Sequence, residues 1–513
     1  MMVRIQIVVV MLVLWPLHAG AGFTFDHVVQ KAKLLAEQPY EAPVPVSKFM
    51  RELPYDAYQG IRFNPDRSLW KESRSNFQVM FVPPGLYYTH PVTLNVIDAE
   101  GPHTLSFKKA DFVFADPEVE KRVPADLGYA GFKLTFPLNK KNEQNQFLVF
   151  AGGSYFRGVG KDNVFGLSGR GLAIDTGLPS GEEFPAFIEF WLVRPAPEAT
   201  DMEVYGLLDS PSLSGAYRFH IFPGNPTTIK VQTFLFPKKT IQLAGMAPLS
   251  SMFFYGENTP RPAGEWRREV HDSDGLQIHD GMSGEWLWRP LLNPDTLEMD
   301  FFSTHNVQGF GLLQRDGQFS NYEDLGTHYE KRPSAWVEPQ GDWKQGKITL
   351  VQLPTADETH DNIVAFWSPN GPLSPGTPLE LAYHVGFGKG DIAQNPLAVA
   401  INTFIGDGNR IGGGHIPQAY RMIIDFAGGP LSKLPEHAPI NGQVTALEGG
   451  EILEHFVEYH EPVKGWRLSI LAKPAHKKPL HVRAFLNTDS TTLSETWTYR
   501  LPPNNHILAE EKE

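Results

Sequence analysis

Apolar and polar positions alternate with a period of two along most of this chain. Clear runs are Phe77–Val82, Thr104–Phe107, Phe187–Val193, Tyr217–Phe222, Ile229–Phe236, Lys347–Leu353 and Ile363–Trp367. Each is broken by Gly, Pro, Asn or Asp, and alternation bounded by such residues predicts short strands. One stretch differs. In 24–37, Phe25, Val28, Val29, Ala32, Leu35 and Ala36 recur at i, i+3, i+4 spacing behind Thr24, so an amphipathic helix with Thr24 as N-cap is predicted there. No repeat with a period of about 20–50 residues is present, which argues against a propeller or solenoid.

A Gly-rich, aperiodic break spans Gly386–Pro396. Beyond it lie further strand-like runs, including Tyr420–Phe426, Phe456–Tyr459, Trp466–Leu471, Leu480–Leu486 and Glu495–Tyr499. The expected class is therefore all-β. A large β-sandwich is expected over 23–388, a linker over 389–400, and an immunoglobulin-like sandwich over 401–513. Residues 1–22 read as a signal peptide: Arg4, an apolar run Ile5–Trp15, then Ala19-Gly-Ala-Gly22. That run is shorter than the ~20 residues of a spanning helix. Cleavage near Phe23, no later membrane insertion and a periplasmic location are expected.

Composition narrows the function. The chain of 513 residues carries a net charge of −13, which disfavours nucleic acid and anionic membrane surfaces as partners. There is no cysteine, so disulfides, thiolate metal sites and a cysteine nucleophile are excluded. The 34 Phe, 16 Tyr and 11 Trp suit strands and sugar-facing surfaces.

Several motifs lead nowhere. Asp175-Thr176-Gly177 has no second copy to complete an aspartic dyad, and reads as a turn. Gly166-Leu-Ser168-Gly169 lacks the spacing of a nucleophile elbow. Asp272-Ser-Asp274-Gly275 is too short for a calcium loop, and no His pair has H-x-x-x-H spacing, so neither metal nor cofactor is expected.

Glycoside chemistry needs one carboxylic acid to protonate the leaving oxygen and a second carboxylate to activate water or attack the sugar. Three acid-rich turns stand out: Asp357–Asn362, which crowns a hairpin, His271–Gly275, and Asn321–Asp324. An Asp in a turn usually caps its own backbone. Here, however, Trp286, Trp288, Trp336 and Trp367 are interleaved with these turns. Trp286 and Trp288 share a strand face, where indole rings could carry a neutral polymer.

Many segments together resemble the family of periplasmic glucan biosynthesis proteins G and D, most nearly protein G. They include Gly171–Thr176, Pro179–Pro185, Leu208–Pro211, His271–Gly275, Gly284–Pro290, Gln308–Arg315, Arg332–Trp336, Asp361–Trp367 and Leu493–Trp497. The resemblance implies a galactose-mutarotase-like sandwich with a cleft, followed by the immunoglobulin-like domain. It also implies a role in making osmoregulated glucans with a β-1,2-linked backbone, which would be the polymer partner, beside an inner-membrane glucosyltransferase. Some members are inverting endo-hydrolases. On that pattern Asp361 is the general acid and Asp272 the base, with Trp286, Trp288, Tyr329, Arg332, Trp336 and Trp367 along the substrate. Asp361 is then expected to hold its proton through neighbouring carboxylates and burial against Trp367. Asp274 stands where some protein G relatives have Asn, and takes no role. The alternatives are a non-catalytic glucan-holding scaffold and a β-1,6-branching transferase.

Overall fold

A computed structural model describes residues 22–476, 478–489 and 491–502. The expected signal peptide and the acidic C-terminal tail lie outside the described residues, apart from Gly22.

Two large sheets dominate. A ten-stranded sheet runs from Gln78–Val82 through Gly131–Phe136, Asn145–Ala151, Tyr155–Gly158 and Ser168–Arg170 to Ala244–Ser251, Ile363–Pro369, Gln345–Gln352 and Glu298–His305. A fifteen-stranded sheet includes Ala186–Val193, Met202–Asp209, Leu213–Phe222, Thr227–Pro237 and Leu379–Gly388. Their facing sides interdigitate into one core; Phe150, Phe156 and Trp367 come from the first sheet, Phe190, Tyr217, Phe219 and Phe387 from the second. Period-two alternation made this possible, since it sends every second side chain of a strand to the same layer.

The helix Phe25–Ala36 starts at Thr24, which forms a capping box with His27. It lays Phe25, Val28 and Ala32 on Trp191, Tyr205, Ala216 and Phe236, closing the outer face of the larger sheet. The predicted run Thr104–Phe107 is displaced: the strand is Gly101–Thr104, and Leu105 and Phe107 turn into the main core instead.

The strand Leu379–Gly388 ends at the Gly-rich break, and the next begins at Val399. Beyond it, Val399–Asn409, His415–Ala427, Gly465–Pro474 and Gly450–His460 form a four-stranded sheet. Facing it are Asn441–Glu448, Leu480–Thr488 and Thr496–Leu501, which also extend the fifteen-stranded sheet. The join is a parallel pairing, Leu287 with Thr496 and Trp288 with Trp497. Among the described residues no helix is long and apolar enough to cross a membrane.

Candidate functional site

The strand Tyr155–Gly158 sends Phe156 into the core, so Tyr155 and Arg157 face the other side of the smaller sheet. Asp361 precedes the strand Ile363–Pro369 on that same side. Its carboxylate lies 3.8 Å from Arg157, with the side chain 34% exposed. The turn that carries it is pinned at its base by buried Asn362. The Asn362 amide donates to the carbonyls of Phe253 and Leu353, both at 3.0 Å, and its oxygen accepts from the Phe253 N–H at 2.9 Å. The rest of the turn is held by its own caps: Asp357 accepts from the backbone N–H of Thr359 at 2.8 Å.

Asp272 follows the short strand Val270–His271, and its N–H donates to the Met252 carbonyl at 2.8 Å. Next to it, Ser273 bonds Ser251 at 2.8 Å, which sends the Asp272 side chain to the opposite face. That carboxyl is only 8% exposed and lies 3.2 Å from Arg332 Nε. The approach is off the hydrogen-bond axis, so Oδ1 and Nε are both buried without a directed hydrogen bond. Burial pushes the Asp272 pKa up to about 6; Arg332 draws it down, Asp361 raises it, and His271 and Arg157 draw it down. Gly166 makes room for this arginine, because a Cβ there would meet Arg332 Cδ at 2.9 Å.

Tyr329 is buried beside them, its ring 5.4 Å from the Arg332 guanidinium carbon. Burial, then the charges of Glu358 and Asp272, raise its hydroxyl pKa. Arg267 ties the remaining acidic turns together, contacting Glu358 at 2.7 Å, Glu265 at 2.8 Å and Asp324 at 3.2 Å. All three acid-rich turns therefore converge, around Arg157, Arg332 and Arg267.

The tryptophans do not. Trp286, Trp288 and Trp336 are buried in a second core beneath the C-terminal strands, packed with Tyr420, Trp466 and Trp497. Trp286 stacks on His279 at 4.1 Å, and Arg315 lies 3.4 Å over Trp288. Trp367 points into the main core, its ring 5.1 Å from Trp343. None of these indoles is among the residues that line the groove at Asp361. The expected sugar platform is thus corrected: these four rings are packing residues, covered by other layers of the fold. Trp367 likewise does not bury Asp361, because the two side chains occupy different layers.

The rings beside Asp361 are others. A groove of about 470 Å³ is lined by Tyr87, Tyr88, Tyr155, Arg157, Phe184 and Asp361. Strand alternation gave no signal for them, since Tyr87, Tyr88 and Phe184 sit in loops.

Behind Asp272 a smaller cavity of about 30 Å³ is lined by Glu257, Glu269, His271, Asp274, Asp316 and Trp288, among others. In two trios, Glu269–His271–Asp274 and Glu257–Glu269–Asp316, ligand atoms lie within 4.8 Å of one another, close enough to share a cation. Spacing rules for histidine pairs could not find such a cluster. Burial alone would lower the His271 pKa, but Asp274 and Glu269 outweigh it and hold it up at about 9. An imidazolium thus already sits among the acids.

A family model described as "Periplasmic glucan biosynthesis protein, MdoG" matches residues 23–501. Glucans biosynthesis protein G of Dickeya dadantii (strain 3937) is 44% identical over 504 residues, 96% of each chain. Among solved structures, a galactose mutarotase related enzyme from Lactobacillus acidophilus aligns with 47% of this chain and 96% of its own. The identity is 9% and the TM-score 0.21.

Proposed function

Because the chain belongs to the family of periplasmic glucan biosynthesis proteins, MdoG, we propose that it shapes the β-1,2-glucan backbone as an inverting endo-hydrolase. The family's name supports a periplasmic setting for this work. One observation carries the reading: a buried carboxyl, Asp272, lies within electrostatic reach of a solvent-reachable carboxyl, Asp361, at the end of an aromatic groove. Two carboxyls in unlike surroundings are what acid–base cleavage of a glycosidic bond requires.

In this reading Asp361, at the groove's edge, meets the glycosidic oxygen. As the bond breaks, the leaving oxygen takes its proton from Asp361. Asp272 is the base. With a pKa of about 6 it is mostly ionised at neutral pH yet still basic enough to draw a proton from water. Arg332 keeps it charged but, lying off axis, leaves an oxygen free to accept that proton. Tyr329, whose ring lies 5.4 Å from the Arg332 guanidinium carbon, would orient a relaying water or sugar hydroxyl. Activity should fall as pH drops through about 6.

The test is reducing-end release from linear β-1,2-glucan. Wild-type protein should generate new ends. Asp361→Asn should generate none while still binding polymer. Binding without new ends in the wild type would instead identify a glucan-holding scaffold. New linkages without new ends would identify a branching transferase.

A further inference from the structure

The segment Asp175–Pro185 is unused by this mechanism, yet it builds one wall of the groove. Buried Arg170, 2% exposed, is paired with Glu182, and Thr176 Oγ donates to the same oxygen at 2.9 Å. Glu183 turns the other way and accepts from the Ser212 N–H at 3.0 Å and its hydroxyl at 2.7 Å. The backbone leading into Phe184 is thus clamped from two sides.

The guanidinium so held serves two rings. Its carbon lies 5.1 Å from the Tyr155 ring centroid and 5.4 Å from that of Phe184. A desolvated cation over an aromatic face is attracted to the ring. Phe184 nevertheless stays 60% exposed, and Tyr87, which also lines the groove, is 77% exposed. Gly152 and Gly153, with φ of 80° and 55°, line it as well and bring no side chain into it. Burying a Phe side chain is favourable, so a clamp that holds one out in water calls for a ligand. The groove's volume falls within the ~300–1,000 Å³ typical of ligand sites.

We propose that Tyr87, Tyr155 and Phe184 are stacking rungs for glucose units lying beyond the scissile bond, on the Arg157 side of Asp361. The occupant is a neutral glucan chain. The groove is continuous with Asp361, and its exposed rings offer flat apolar faces for the C–H faces of sugars, with the Tyr hydroxyls free to bond their O–H groups. This inference rests on the glucan reading above and adds where the chain runs. It also gives the Pro179–Pro185 segment a role, that of presenting Phe184.

Binding of linear β-1,2-glucan, measured by calorimetry in the Asp361→Asn protein to prevent cleavage, tests it. Adding Tyr87→Ala and Phe184→Ala together should weaken binding at least tenfold while the protein still melts in one cooperative transition, since both side chains are exposed. Unchanged affinity in that variant overturns the rung assignment while leaving the glucan reading intact. Failure of both the parent and the wild-type protein to bind the polymer refutes the glucan reading itself, and the rungs with it.

Discussion

Asp272 and Asp361 are the same residue type in unlike surroundings, and the difference is measurable. The Asp272 pKa is raised from its ordinary 3.8 to about 6, so the folded protein holds a proton there over a range where the unfolded chain has lost it. Stability from this group is therefore full below about pH 4 and declines as pH rises to about 6. Asp272→Asn mimics the protonated form. It should unfold like the wild type at pH 4 and be more stable at pH 7, by on the order of 3 kcal/mol, in urea titrations at the two pH values. Equal stability at both would contradict a buried, ionised Asp272. At this scale the residue pattern offered three acid-rich turns as candidates, and only the family resemblance singled out Asp361 and Asp272 among them. Neither could reveal that Arg332 stands off axis, or that Phe184 rather than a tryptophan faces the groove. Both depend on contacts between segments remote in sequence.

Elements were easier to read. The strands around Phe187–Val193, Ile229–Phe236, Lys347–Leu353 and Ile363–Trp367 occur where alternation put them, within a few residues. Period two also set Trp286 and Trp288 on one face correctly. It says which side chains share a face, not what covers that face, and here the cover is the C-terminal sheet. Glycines reinforce this packing. A Cβ at Gly309 would come 2.2 Å from the Trp336 ring, and one at Gly275 would come 2.3 Å from Trp288. The Gly-x-Gly of Gln308–Arg315 is a bed for an indole. Trp336→Ala should then cost about 3–5 kcal/mol of stability, and Gly309→Ala about 1–3 kcal/mol, both by urea unfolding. Glucan affinity of the folded fraction should not change in either. Affinity lost without stability would restore the indoles as a sugar platform.

Across the whole molecule, the segment that follows the Gly-rich break is held by a polar hub. Glu495, fully buried, accepts from Arg315, Gln277 and Asn395 and from the backbone N–H of Ala400. Asn395 and Ala400 belong to the Gly-rich break and the strand after it. That segment, aperiodic in sequence, is therefore tethered to both cores. Two members of the hub, Arg315 and Ala400, also line the acidic cavity behind Asp272. This arrangement is compatible with the proposed reading, in which a long polymer enters sideways. The most direct measurement is proton NMR of the first product from linear β-1,2-glucan. With wild-type protein the α-anomer should appear first at the new reducing end, and with Asp361→Asn no new anomeric signal should arise. A β-anomer appearing first, or equal product from the variant, would contradict the account.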